Sequence, residues 1–276
     1  MKKEKYWHYI IWNFLLAFFL CISIEQILER GTLSRLSETT VESEGFRSQL
    51  IDESTLGHIE KMENPGEWLA LYWLENDFGT KKDNISDTFI QRKEKWSSRP
   101  QWEEYKSACT AIWDDLVYFP IPKPSNNVNA KVTYENSWMF SRTYKGERRH
   151  EGTDLMPSIN RRGYYPVVSM TDGTVTQKGW LELGGYRLGI ETSRGVYFYY
   201  AHLESYAEIE VGDTVKAGQL LGYMGDTGYS KKEGTTGNFP VHLHVGIYLL
   251  RNGKEISVNP YPVLRYLEKR RIECVY

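Results

Sequence analysis

The chain is poor in cysteine, with only Cys21, Cys109 and Cys274 among its 276 residues. Three scattered cysteines are too few for a disulfide framework or for a cysteine zinc site. A single bridge between Cys109 and Cys274 stays open, provided that their Cα atoms lie within ~7 Å of each other. Any metal site must therefore use histidine and carboxylate ligands, and the chain has only six histidines.

The chain also lacks a charge imbalance. Its 34 basic and 36 acidic residues give a formal net charge of -2, so no overall positive field attracts nucleic acid, and we expect no nucleic-acid partner. With 41% hydrophobic and 25% charged residues the composition is that of a globular protein, which excludes wholesale disorder and collagen-like or coiled-coil character. The length suits one or two domains.

The amino-terminal segment indicates a membrane helix. Residues 6–24 contain no Asp, Glu, Lys or Arg and follow three lysines. A helix of this length spans roughly 28 Å, close to the ~30 Å of a bilayer core. We expect a cytoplasmic tail and transmembrane signal-anchor over residues 1–30, in a single-pass cell-membrane protein whose remainder is extracytoplasmic. Secretion after signal cleavage is the alternative, although residues 21–23 form a poor cleavage site.

Three segments follow the predicted membrane helix, up to residue 127. Residues 31–45 are polar and predict a flexible stalk. Residues 46–118 predict a helical region of unknown role. Its aromatic stripe over 102–116 indicates a helix-packing core, with a docking surface for a protein partner or an inhibitory prosegment as alternatives. Residues 119–127 contain three prolines and predict an extended linker at a domain boundary.

Residues 128–276 predict an antiparallel β domain, so the fold class is mainly β, with the helical region and the anchor helix before it. Short β-branched and aromatic runs alternate with glycine turns, including Asp172-Gly173, Gly184-Gly185 and Asn252-Gly253. A short final helix is expected from Pro262. The predicted strands are VTYENSWMF, YPVVSM, GTVTQKG, YRLGIETS, VYFYYAHL, QLLGYMG and VHLHVGIYL.

Histidines and one aspartate form short patterns in this domain. His150 and Asp154 lie in RRHEGTDL, His202 lies in YYAHL, and His242 and His244 lie in VHLHVGI. Positions i and i+2 of a strand face the same side, so the last two imidazoles project together, which rarely serves a core. A His, Asp and His set is typical of a zinc site with one open position, where a water molecule loses a proton near pH ~7. Taken alone, His202 is equally typical of a buried, hydrogen-bonded structural histidine.

These patterns resemble the lysostaphin-type (LytM-type) zinc metalloendopeptidase family, which acts on peptidoglycan. RRHEGTDL at 147–154 matches the H-x-x-x-D motif of the family, and VHLHVGI at 241–247 matches its H-x-H motif. DGTVTQKGW, GGYRLGIE, YFYYAHL and VGDTVKAGQLLGYMGDTG lie between them in the order of the family. The resemblance covers about residues 133–267 and does not extend to 46–118.

The resemblance implies a site and an activity. His150, Asp154 and His244 would bind one Zn²⁺, and His202 and His242 would be the catalytic histidines beside it. Residues 128–276 would then be a zinc endopeptidase domain that hydrolyses peptide bonds in peptidoglycan stem peptides or cross-bridges during cell-wall remodelling.

One departure from the family pattern lies next to these residues. Val245-Gly246 stands where Phe-Glu is common, which would widen the substrate groove or remove a negative wall.

Two other functions compete with this one. A non-catalytic or latent anchored scaffold or activator of other cell-wall hydrolases is the stronger alternative, and Asn136 is a candidate for occupying the open zinc position. VGDTVKAGQLLGYMG at 211–225 also resembles the hairpin of biotin and lipoyl carriers. Its candidate lysine, Lys216, lacks the carrier tip sequence, and a carrier leaves the histidines unexplained.

Overall fold

A computed structural model describes residues 2–80, 88–144, 146–251 and 253–276. Asn252, the first residue of one predicted turn, lies outside these ranges. The helices are α1 (Lys2–Leu33), α2 (Glu44–Ser48), α3 (Glu53–Ile59), α4 (Gly66–Glu75), α5 (Phe89–Ser97), α6 (Trp102–Trp113) and α7 (Tyr261–Leu267), with a 3₁₀ turn at Thr40–Glu42. The strands are β1 (Lys123–Pro124), β2 (Val132–Thr133), β3 (Ser141–Arg142), β4 (Arg148–Arg149), β5 (Thr153–Pro157), β6 (Pro166–Val168), β7 (Gly173–Leu181), β8 (Gly185–Glu191), β9 (Val196–Tyr206), β10 (Thr214–Val215), β11 (Leu220–Met224), β12 (Leu243–Arg251), β13 (Lys254–Val258) and β14 (Glu273–Cys274).

Helix α1 extends further than the uncharged run that predicts it. Its segment Tyr6–Leu33 is long and apolar enough, by length and composition, to cross a membrane. Apolar side chains are exposed along it, from Trp12 (71%) and Phe14 (78%) to Ile27 (68%). Most of the segment therefore contributes to no core of the described residues, and only its last residue, Leu33, packs against the core.

The expected flexible stalk is an ordered segment in the structure. Leu36 and Val41 are buried, at 4% and 6% exposure, and both belong to the hydrophobic core. The Thr40 hydroxyl accepts a hydrogen bond from the Ser37 amide at 2.7 Å and so closes the turn between them. The prediction of a stalk was wrong because the polar composition of the stretch hides two well-spaced apolar side chains.

Aromatic side chains form the core of the helical region. α4 packs against both α5 and α6. The predicted stripe on α6 is buried, including Trp102, Tyr105 and Trp113. Trp113 donates its indole N–H to Gln49 Oε1 at 2.8 Å, which satisfies a polar atom inside this core.

The helical region and the β domain share one hydrophobic core. Trp113 of α6 contacts Tyr266 of α7 edge to face, with 5.8 Å between ring centroids. The proline-containing segment is extended, as predicted, but it is not a free linker. Phe119 and Ile121 within it are buried, and β1 pairs in parallel with β14 at the end of the chain.

The β domain is built on an antiparallel sheet with the strand order β10-β7-β8-β9-β12-β5-β2; β13 pairs with β12, and β11 pairs with β6 and β9. Of the predicted strand VTYENSWMF, only Val132–Thr133 is a strand. The predicted final helix is present as α7. All three cysteines are free, so no bridge joins Cys109 to Cys274.

Candidate metal centre and active site

Two neighbouring strands bring the predicted ligands together. β12 pairs with β5 in a register that sets His244 directly opposite Asp154, and His150 lies three residues before β5 begins. His244 Nδ1 is 2.9 Å from Asp154 Oδ1, and His150 Nε2 is 3.1 Å from each of these two atoms. Three ligand atoms from distant parts of the sequence thus converge on one point.

The convergence fits a zinc ion. Zn–N and Zn–O bonds of ~2.0–2.2 Å in tetrahedral geometry place the ligand atoms roughly 3.3 Å apart, close to the separations among His150, Asp154 and His244. His150 Nδ1 donates to the Ser137 carbonyl at 3.1 Å, so the lone pair of Nε2 points to the other two ligands. Without a cation between them, these lone pairs would face one another.

Asp154 is held as a carboxylate. Burial raises its pKa, but the adjacent imidazoles of His150 and His244 outweigh burial, and the pKa lies well below its ordinary value. Arg142 on β3 donates from Nη2 to Asp154 Oδ2 at 2.8 Å. The second oxygen is thereby occupied, which leaves Oδ1 directed at the two histidines.

The two remaining histidines lie beside this cluster. His202 Nδ1 donates to the Thr227 carbonyl at 2.7 Å, and His242 Nδ1 donates to the Pro240 carbonyl at 2.9 Å. Their ring centroids are 4.6 Å apart, and His242 Nε2 is 3.9 Å from Asp154 Oδ1. Carbonyl acceptors at both Nδ1 atoms leave both Nε2 atoms unprotonated in the neutral rings.

His202 is buried and lies in a left-handed backbone conformation, with φ of 62°. Burial first, and then the nearby His242, hold the pKa of His202 well below its usual range. The ring is therefore neutral at pH 7 and able to accept a proton. Phe239 packs against it at 4.8 Å between centroids and limits the space in which it can rotate.

Sequence reasoning missed residues that orient Asp154, His202 and His242. Arg142, Thr227 and Phe239 act through contacts that no spacing rule contains, because two lie in loops and one in a two-stranded hairpin. Asn136, the candidate for the open metal position, instead accepts a hydrogen bond from the Asn259 amide at 3.1 Å. Within the described residues, the cluster of possible metal ligands comprises His150, Asp154 and His244.

A groove of about 560 Å³ opens over the cluster. Tyrosine rings lie across its floor, over glycines of β8 and β12. A Cβ atom at Gly246 would come within 2.7 Å of the Tyr248 ring, and one at Gly189 within 1.9 Å of the Tyr197 ring. The departure at Gly246 therefore does not widen the groove, because Tyr248 fills the space. It does leave the position without a carboxylate.

Together, the antiparallel sheet, the helical region and the His-Asp-His cluster define a protein of the metallopeptidase class. The sequence pattern described as Peptidase family M23 matches residues 148–260, and the pattern of the LytM N-terminal domain matches residues 31–115. The chain belongs to peptidase family M23. The amino-terminal match covers both the expected stalk and most of the helical region, which the sequence resemblance did not reach.

A solved structure supports this assignment over most of the chain. The crystal structure of a Ruminococcus gnavus ATCC 29149 protein, assigned as a glycyl-glycine endopeptidase lytM, is 52% identical in sequence. The similarity covers 89% of this chain and 98% of that one, with a TM-score of 0.83. The similarity therefore includes the helical region as well as the β domain.

Two curated relatives match part of their own length. The L-Ala-D-Glu endopeptidase of Bacillus subtilis (strain 168) is 39% identical over 55% of this chain and 44% of its own. The glycyl-glycine endopeptidase ALE-1 of Staphylococcus capitis is 37% identical over 42% of this chain and 29% of its own. The chain thus matches less than half of the length of either enzyme.

Proposed function

We propose that this protein is a zinc-dependent endopeptidase that hydrolyses peptide bonds in peptidoglycan stem peptides or cross-bridges during cell-wall remodelling. The observation that supports it most is the convergence of His150 Nε2, Asp154 Oδ1 and His244 Nδ1, with two further imidazoles next to them. Membership of family M23 and the names of the relatives favour the same substrate.

In this proposal His150, Asp154 and His244 hold the metal. Bound zinc supplies a Lewis acid that polarises the peptide carbonyl and makes a water molecule acidic. One of His202 and His242 accepts a proton from the water at its unprotonated Nε2. The ring that has gained this proton then donates it in a hydrogen bond to the developing oxyanion or transfers it to the leaving amine. Either ring can take either role, since each has its Nδ1 bound to a carbonyl and its Nε2 free.

We also propose that Tyr6–Leu33 anchors the protein in the cell membrane and that the remainder is extracytoplasmic. The exposed apolar surface of this helix and the lysines that precede it support this orientation. Secretion after cleavage remains the alternative. An anchored hydrolase would act on the cell's own wall, within reach of its helix.

The helical region is proposed to stabilise the groove and to offer a surface for a protein partner. Arg47 of α2 donates to the Ser257 carbonyl at 2.9 Å and to Glu151 Oε1 at 3.1 Å, next to ligand His150. Because α2 contacts the rim of the groove, a latent or scaffold function is the second candidate, in which a bound partner alters access to the site.

One assay tests the proposed function. The purified full chain, in detergent, is analysed for zinc and incubated with peptidoglycan sacculi while new free amines are measured. His202→Ala should abolish most amine release, whereas His8→Ala, a histidine on the exposed part of α1, should leave it unchanged. Zinc near one per chain with no cleavage of any wall type would refute the hydrolase and favour the scaffold.

A further inference from the structure

Arginines dominate the charge of the groove beside the cluster. Arg148, Arg149 and Arg187 line it, against the two glutamates Glu151 and Glu255. In the described part of the chain, none of the three arginines is within ion-pair distance of a carboxylate. Their positive charges are therefore not neutralised by the protein itself.

The glutamates offset this charge only in part. Glu151 is bound by Arg47 Nη2 at 3.1 Å, so its negative charge is already engaged outside the groove. Glu255 lies exposed near the start of β13, on the rim and in contact with solvent, which weakens its field. Position 246, where the family pattern carries glutamate, is glycine. The groove consequently keeps an excess of positive charge.

Arg187 is the most informative of the three arginines. It lies in β8 at the irregularity between Tyr186 and Leu188. Its Nη2 donates to Gln177 Oε1 at 3.0 Å, while its Nη1 is shielded from solvent and has no hydrogen-bond partner. The side chain as a whole is only half-buried and lines the groove, so rotation of the guanidinium can bring Nη1 to a ligand. A charged donor is costly to leave unpaired, and a carboxylate is the acceptor that suits it best.

The tyrosines on the floor of the groove add hydrogen-bond donors but no negative charge. Burial, opposed by Arg187, raises the pKa of Tyr197 to about 12, so its hydroxyl stays protonated at neutral pH. Neither Tyr197 nor Tyr199 makes a hydrogen bond through its hydroxyl to any other described residue. The floor therefore favours a ligand rich in oxygen acceptors.

We infer that this groove selects peptides that carry a free carboxylate close to the scissile bond, with Arg187 as the residue that recognises it, over uncharged peptides such as polyglycine. This inference rests on the proposed function and specifies its substrate class. Loss of one hydrogen bond to a charged group corresponds to a preference of about ten-fold or more.

The test uses the zinc-loaded full chain and two matched peptides. One is L-Ala–γ-D-Glu–L-Lys–D-Ala with the free α-carboxylate of D-Glu, the other carries the carboxamide in its place, and pentaglycine is the third substrate. The ratio of kcat/KM between acid and amide should be about ten or more and fall towards one in Arg187→Gln. Arg187→Lys should keep part of the ratio, and Arg161→Gln, an exposed arginine outside the groove, should keep all of it.

A binding measurement separates the inference from the proposed function. His202→Ala, which should not turn over, is titrated with the acid and the amide peptide by calorimetry. Tighter binding of the acid that depends on Arg187 supports the inference even if no peptide is cleaved, although the proposed hydrolase then fails. Equal binding and equal cleavage of acid and amide, or preference for pentaglycine, overturns the inference and leaves the hydrolase standing.

Discussion

At Gly152, the addition of a single methyl group should damage the predicted metal centre. This glycine lies between the predicted ligands His150 and Asp154, and a Cβ atom there would be 2.3 Å from His244 Cε1 and 2.5 Å from its Nε2. An ordinary contact is 3.4–4 Å, so the imidazole would have to retreat by about 1 Å. Metal sites tolerate displacements of ~0.5 Å.

We therefore expect Gly152→Ala to weaken zinc binding by about 10–100-fold, the range found for changes beside metal ligands. Competition with a chromogenic chelator at equilibrium measures this affinity. Gly57→Ala is the matched control, because no atom lies within 4 Å of its added Cβ and alanine favours a helix interior. Unchanged zinc affinity in Gly152→Ala would refute the steric argument, and a loss of affinity in both variants would point to general destabilisation.

Two further predictions concern the ligands and the helical core. His150→Ala and His244→Ala should each lose zinc and activity, whereas His202→Ala should keep zinc, as measured by metal analysis after gel filtration; zinc retained by both ligand variants would contradict the site. Gln49→Ala should lower the free energy of unfolding by about 1–3 kcal/mol, because the buried indole N–H of Trp113 loses its acceptor. Urea unfolding of the full chain measures this, with Gln91→Ala, at an exposed position of α5, as the control.

The strands and the shared strand face of His242 and His244 were accessible to sequence reasoning because their signals are local. Glycine turns bracket apolar runs, and His242 and His244 share a strand face by simple alternation. The convergence of His150 with His244 came from the family resemblance, since the β5–β12 register joins residues 94 apart in the chain. Arg142 gave no signal, because one arginine near a motif is indistinguishable from a surface charge.

The prediction of a flexible stalk was wrong for the opposite reason. A window of Ser, Thr and Glu predicts disorder from average composition, but Leu36 and Val41 belong to the hydrophobic core, and the turn Thr40–Glu42 contacts α6, far along the chain. The proline-containing segment is a second example, since Phe119 and Ile121 pack into the core that the helical region and the β domain share. Local composition describes a segment alone, whereas burial depends on what the rest of the chain places beside it.

The backbone at His202 places stability and activity in opposition. A histidine at φ 62° adopts a left-handed backbone conformation that glycine and asparagine adopt more readily. This conformation costs the folded state a free energy of order 1 kcal/mol or more. Selection for stability alone would therefore favour replacement of this histidine, and the product would be a more stable protein that keeps its His-Asp-His cluster. Within such a lineage, inactive descendants with intact ligand sets would arise by a single substitution.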